Sequence, residues 1–81
     1  MNIVHCSFEN FLVEDLSTYT YTPIVKTPDK FKPIEYSYSS ACISSTQVLI
    51  LRALPSGYIA ADPFGSKVTS ARIFGEIIYY I

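Results

Sequence analysis

The stretch that decides the fold class is residues 44–57, "SSTQVLILRALPSG", together with the "YIAAD" that follows it. Ser44 and Gln47 have the spacing of a helix capping box, and the proline and glycine of "PSG" could end a helix. However, "VLILRAL" is apolar at nearly every position over a strand-like length, and "PSG" before "YIAAD" is typical of a hairpin turn. We therefore predict strands over 46–54 and 57–62.

The rest of the chain also has a composition that favours short β-strands. Tyr, Thr, Ile, Val and Phe are abundant, and five prolines and three glycines punctuate the sequence at short intervals. The further predicted strands are 2–6, 18–26, 31–39, 67–74 and 76–81. The expected fold is one all-β domain over residues 1–81, a small barrel or sandwich of six to seven short strands.

One segment near the N-terminus departs from this pattern. The apolar residues of "SFENFLVEDLS" are Phe8, Phe11, Leu12 and Leu16. They fall at helical spacing behind a Ser7 cap, which predicts a short helix near residues 8–17. If both this segment and the stretch after Ser44 are helical, the order becomes βαββαβ, so a ferredoxin-like α+β fold is the alternative.

Residues 17–40, "STYTYTPIVKTPDKFKPIEYSYSS", predict a hairpin rich in tyrosine. "TPDK", residues 27–30, has turn chemistry, and a four-residue loop there pairs the flanking segments. The tyrosines that this register places on one face are Tyr19, Tyr21, Tyr36 and Tyr38. They either pack on the core or form a flat aromatic face for a partner protein or a ligand. The hairpin's prolines place its strands at a sheet edge or make its outer half leave the sheet.

The outer half of this hairpin, residues 24–33, is expected to project as an exposed tip. It contains three of the chain's six basic residues. The candidate contact residues of this tip are Lys26, Lys30, Phe31 and Lys32. A basic aromatic tip of this kind could dock on an enzyme as an inhibitor or regulator.

The C-terminal "FGEIIYYI", residues 74–81, is apolar on both faces of a strand. Alternation places Ile77, Tyr79 and Ile81 on one face. The opposite face then carries the candidate subunit interface, Ile78 and Tyr80, joined by Phe74 if the strand stays regular through Gly75. This face is covered either by a central position in the domain's own sheet, with both faces buried, or by a neighbouring subunit. Gly75 is expected to break the strand with a bend.

Composition and charge disfavour several classes of function. The chain is 49% hydrophobic, 16% charged and has a net charge of −1, so it can form a core but offers no broad basic face for nucleic acid. The start "MNIVHCSFENF" lacks signal-peptide character, and no apolar run is long enough to span a bilayer. We therefore expect no membrane association, and a location inside a cell or within an assembled particle.

The sequence contains no recognisable catalytic, cofactor or metal signature. Cys6 and Cys42 without a secretion signal are more often free than paired. His5 with the two cysteines falls short of the four ligands of a structural zinc site. The carboxylates show no metal-loop or acid/base spacing, and Asp62 in "DPFGS" is expected to bond to its own turn backbone. We expect no enzymatic activity and no cofactor.

These observations favour a small structural or protein-interaction subunit. It would act by self-assembly or by docking on a larger complex, for instance as an accessory component of a virus particle. A small domain of this length has a limited core, so a partner would add stability that it otherwise lacks. The alternatives are a small-molecule or carbohydrate-binding module that uses the tyrosine face, and the enzyme inhibitor or regulator already described.

Overall fold

A computed structural model describes residues 2–44 and 47–81. Its strands are β1 (Ile3–Leu16), β2 (Thr22–Lys26), β3 (Ser37–Ser44), β4 (Gln47–Leu54), β5 (Tyr58–Asp62) and β6 (Val68–Tyr80), and Asp29–Phe31 form a turn of 3₁₀ helix. The strands make an antiparallel sheet in the order β1-β6-β3-β4-β5-β2, which curls into a nearly closed barrel. The predicted all-β fold is confirmed, and the ferredoxin-like alternative is wrong.

The fold-deciding stretch forms a β-hairpin, as predicted. The buried side chains of β4 alternate along the strand and are Leu49, Leu51 and Ala53. The turn closes with a hydrogen bond from the Gly57 amide to the Leu54 carbonyl at 2.8 Å, and Gly57 has a φ of 100°, which suits glycine. The strand prediction is confirmed over 47–54, while Thr46 lies outside the described residues.

Residues 8–17 do not form a helix, so that prediction is wrong. Residues 8–16 belong to β1, whose inward-facing side chains here are Phe8, Phe11, Val13 and Leu16. The pairing of β1 with β6 shifts register between Phe8 and Phe11, and Asn10 within this bulge has a φ of 54°. The extra residue of a bulge converts the two-residue strand period into a step of three, which imitates helical spacing.

β6 is one continuous strand of 13 residues rather than two strands separated at Gly75. It lies inside the sheet, paired with β1 on one edge and β3 on the other. Gly75 faces Ala41 of β3, and it also pairs with Phe8 beside the β1 bulge. The expected break at Gly75 is therefore wrong, and the irregularity lies instead in β1, the partner strand. Gly75 allows the backbones of β6 and β3 to approach closely.

The predicted tyrosine hairpin is also wrong. β2 pairs with β5, whereas β3 pairs with β4 and β6, so the two tyrosine segments do not pair with each other. The chain between them makes the 3₁₀ turn after Pro28, with a hydrogen bond from the Phe31 amide to the Pro28 carbonyl. The amide and hydroxyl of buried Thr27 both donate to the Gly57 carbonyl, which ties this loop to the β4–β5 turn. Pro23 lies in β2 at the sheet edge, where a missing backbone donor is tolerated.

The core fills the inside of the curled sheet. Its largest fully buried side chains are Tyr79, Leu16, Leu49, Leu51, Ile59, Ile73 and Ile77. β1 and β2 are the two end strands, so the barrel has one seam where they face each other. The described part of the chain contains no helix long and apolar enough to cross a membrane.

Candidate interaction surface

The outer face of β6 carries three large apolar side chains that the fold leaves in contact with solvent. Phe74 is 47% exposed, Ile78 52% and Tyr80 40%. Their neighbours in sequence, Ile77 and Tyr79, are buried in the core, as the alternation in "EIIYYI" predicted. The expectation that a central strand buries both faces is wrong, because β6 is central but has a core on one side only.

Residues on both sides of β6 extend this apolar face. Ile3 of β1 pairs with Tyr80, and on the other side the Ile34 amide donates to the Tyr80 carbonyl at 3.0 Å. Further along, Tyr38 is an exposed outer residue of β3, the strand that pairs with β6. We define the outer apolar patch as Ile3, Ile34, Tyr36, Tyr38, Phe74, Ile78 and Tyr80, all of them exposed.

A close histidine–glutamate contact lies beside this patch. His5 Nε2 is 2.8 Å from a carboxylate oxygen of Glu76, and both side chains are more than half exposed. His5 sits opposite Ile78 in the register of β1 and β6. An exposed pair of this kind contributes little to stability, so its importance lies in the polar contact that it offers among apolar neighbours.

Three of the four predicted tyrosines gather around Arg52, a residue that the sequence did not single out. The Arg52 guanidinium lies 4.0 Å from the Tyr21 ring centroid and 5.2 Å from that of Tyr36. Tyr38 pairs directly with Arg52 across β3 and β4. Arg52 Nε is buried without a hydrogen-bond partner among the described residues. Only the three-dimensional pairing brings Arg52 to these rings, and no spacing in the sequence indicates it.

Tyr19 is separate from this cluster. Its side chain is 74% exposed and meets Phe64 edge to face, with ring centroids 6.4 Å apart. The flat face of four tyrosines that the hairpin register predicted does not form. Asp62 accepts a hydrogen bond from the Phe64 amide at 2.8 Å, which confirms its predicted role in the turn.

The basic residues of the predicted tip are exposed but do not project on a hairpin. Lys30 lies 5.1 Å from the ring centroid of Phe31, which is itself 38% exposed. Lys32 passes over Gly57, so its stem covers the β4–β5 turn. Lys26, at the end of β2, pairs with Tyr58 at the edge of the sheet. The loop therefore presents positive charge while it is held against the barrel by Thr27.

The two cysteines cannot bond to each other in this fold. Cys6 faces the interior of the barrel, whereas Cys42 is exposed on the outer face beside Phe74, and both are free. Burial raises the pKa of the Cys6 thiol. Burial also raises the pKa of the Tyr79 hydroxyl, and the nearby Cys6 sulfur adds to that rise. Among residues 2–44 and 47–81, no group of three His, Cys, Asp or Glu side chains could hold a metal ion.

A cavity of about 230 Å³ lies at the seam between β1 and β2. Its lining residues are Val4, His5, Cys6, Val25, Lys26, Thr27, Pro28, Phe31, Ile59 and Tyr79. Val4 pairs with Tyr79 on one wall, and Val25 pairs with Ile59 on the other. Most of the lining is apolar, and the sequence offered no signal for it because its two walls come from segments that are distant in the chain.

Comparisons of the chain with protein-family models, with curated proteins and with solved structures return no match.

Proposed function

We propose that this protein is a non-enzymatic interaction subunit that assembles through the outer apolar patch, with a second copy of the same chain as its partner. The observation that carries the proposal is the outer face of β6, where Phe74, Ile78 and Tyr80 are about half exposed although the strand is paired on both edges. Because both edges are occupied, the free surface of this strand is its face, and contact must occur by packing.

The size and composition of the patch support a protein partner. Contiguous exposed apolar surface of this kind usually marks an interaction site. Its four aromatic and three isoleucine side chains expose apolar area on the order of 500 Å², a large part of the roughly 800 Å² per partner in a stable interface. Tyrosine and arginine are enriched among the residues that dominate binding energy, and Arg52 borders the patch beside its members Tyr36 and Tyr38.

Charge favours a second copy. One basic and one acidic side chain, His5 and Glu76, lie beside the patch, and the whole chain has a net charge of −1, so two copies repel each other weakly. A two-fold dimer brings the same patch together from both subunits, which makes a nearly neutral apolar surface self-complementary. Such a dimer can in turn be a component of a larger particle.

The test is the solution mass of a double variant, Ile78→Asp with Tyr80→Asp, measured by sedimentation against protein concentration. Because both side chains point away from the core, we expect a folded monomer, whereas the parent chain dimerises. Phe64→Asp is the matched control: Phe64 is 46% exposed and lies in the β5–β6 connection before Val68, and Val68 is itself six residues along β6 from Phe74, about 20 Å away. This control should dimerise like the parent.

Two outcomes would refute the proposal. One is a parent chain that stays monomeric at every concentration tested. The other is a double variant that keeps both the fold and the assembly state of the parent. If the aspartate variant loses its fold, the milder pair Ile78→Ser and Tyr80→Ser replaces it, and dimerisation equal to the parent would again refute the proposal.

The other functions suggested by the sequence stay predictions. A binding module on four coplanar tyrosines lacks that face in this fold, since Tyr19 is elsewhere and the rings of Tyr21 and Tyr36 lie against Arg52. The regulator hypothesis keeps its exposed lysines, Lys30 and Lys32. Reversing both charges would change binding to an enzyme while leaving folding nearly unchanged.

A further inference from the structure

The seam cavity is separate from the outer apolar patch, none of whose residues lines it. It lies on the inner side of the sheet, where β1 and β2 fail to pair and the interior of the barrel opens between them. Val4, Cys6 and Val25 are only partly buried although they pack against the core. These side chains would be covered if the barrel were closed, so the seam leaves interior apolar surface open to a ligand.

The volume of the cavity sets the size of that ligand. A dry apolar cavity of about 150 Å³ can bind benzene, which has six heavy atoms. At about 230 Å³, the seam cavity therefore suits a ligand part of roughly nine heavy atoms on the same scale. Ile59 and Tyr79, both buried, form its inner walls, so the part of the ligand that enters must be largely apolar.

The charged side chains that line the cavity determine which charge the other end of the ligand should carry. Lys26 lines it and is exposed, and no carboxylate lies within 4.0 Å of its ammonium group among the described residues. Asp and Glu are missing from the lining in that same part of the chain. His5 also lines the cavity, but its ring is engaged with Glu76 on the outer face. A ligand with a negative end therefore finds the Lys26 cation and no acidic side chain among the described residues of the lining.

We infer that the seam cavity binds a small apolar carboxylate, with its hydrocarbon tail between β1 and β2 and its carboxylate at Lys26. The inner polar groups of the cavity are the Cys6 thiol and the Tyr79 hydroxyl. Both sit among apolar walls, and neither carries a charge that would disfavour a hydrocarbon chain. The pocket is smaller than a typical drug-sized site, which restricts the tail to a short or medium chain.

The probe is octanoate, titrated into the full chain, with 1-octanol as a neutral molecule of the same tail. Binding is followed by NMR through the methyl resonances of Val4, Val25 and Ile59. We expect saturable shifts of these methyls with both probes. Lys26→Glu should weaken octanoate binding between about twofold and thirtyfold, because it removes one exposed attraction and adds a repulsion of similar size, and it should leave octanol binding unchanged.

Lys67→Glu is the matched control, since Lys67 is an exposed lysine in the β5–β6 connection and does not line the cavity. It should leave both affinities unchanged. Val4→Phe, which fills the partly exposed rim of the cavity, should weaken both probes, with the fold checked by the remaining methyl spectrum.

Several results would overturn the inference. They are an absence of methyl shifts up to the solubility limit of octanoate, shifts confined to Ile78 and the outer apolar patch, and equal octanoate affinity for the parent and Lys26→Glu. Octanoate binding that weakens as protein concentration rises would overturn it too, because it would show that a second copy occupies the seam. None of these outcomes depends on whether the outer apolar patch forms a dimer, since the double aspartate variant can be titrated in the same way.

Discussion

Gly75 and Ala41 face each other across β6 and β3 at a distance that only glycine permits. A Cβ atom on residue 75 would lie 2.7 Å from the Ala41 Cβ, 2.8 Å from its Cα and 2.9 Å from the Ser40 carbonyl oxygen. Two of these three neighbours are backbone atoms, which cannot rotate away. The two strands must therefore separate to accept any side chain at residue 75.

We expect Gly75→Ala to destabilise the fold by about 1–3 kcal/mol, and Gly75→Val by more, because overpacking forces the backbone to shift. Denaturant unfolding measures both changes. Gly65→Ala is the control: its nearest neighbour is the flexible end of the Tyr19 side chain at 3.3 Å, so its effect should be small. Equal stability of Gly75→Val and the parent would show that β3 and β6 leave room for a side chain at residue 75.

The bulge in β1 predicts an unusual response at Asn10. Its φ of 54° lies in the left-handed region, which asparagine tolerates and β-branched residues do not. Asn10→Val should therefore cost about 1–2 kcal/mol, whereas Asn10→Gly should be neutral or slightly stabilising.

Glu9→Val is the control for Asn10, because Glu9 is the exposed neighbour without a positive φ. Chemical denaturation of the three variants gives the comparison. If Asn10→Val proves as stable as Glu9→Val, β1 does not bulge at residue 10.

Thr27 holds the lysine-bearing loop against the β4–β5 turn. Its buried hydroxyl donates to the Gly57 carbonyl at 2.9 Å. Thr27→Val removes this bond at nearly constant shape and should cost about 1 kcal/mol, or a fall in Tm of roughly 4–8 °C for a domain of this size. Thr20→Val, which alters an exposed threonine, should shift Tm much less. A Tm that Thr27→Val leaves unchanged would contradict the anchoring role.

Stability should fall at alkaline pH because of Cys6. Burial raises its pKa in the folded state, so the unfolded chain loses the thiol proton first as pH rises. The contribution of Cys6 to stability is fully present below the unfolded thiol pKa, about 8.5, and is lost as pH rises through the higher folded value.

The measurement for Cys6 is the free energy of unfolding between pH 8 and pH 10 for the parent, Cys6→Ala and Cys42→Ala. Cys6→Ala should flatten the decline even though it lowers stability overall, and Cys42→Ala should follow the slope of the parent because Cys42 is exposed. Parallel slopes for the parent and Cys6→Ala would contradict the prediction.

The sequence alone predicted those features that depend on local pattern. The apolar run before "PSG" specified β4 and its hairpin with β5, and the alternation of "EIIYYI" correctly separated Ile77 and Tyr79 from Ile78 and Tyr80. Alternation is a property of the backbone of one strand, so it can be read without knowing the partner. Phe74 shares the outer face with Ile78 and Tyr80 because β6 continues through Gly75, which the sequence did not predict.

The tertiary structure decided everything that depends on which strands meet. The helical spacing of Phe8 and Phe11 arises from a bulge, and a bulge is defined only against the partner strand, β6. Similarly, turn chemistry at 27–30 does not reveal that β2 pairs with β5, since an antiparallel partner is selected by burial over the whole sheet. Arg52 among its tyrosines and the cavity at the open seam follow from that pairing. Local periodicity thus sets which way each side chain points, while long-range pairing sets what it meets.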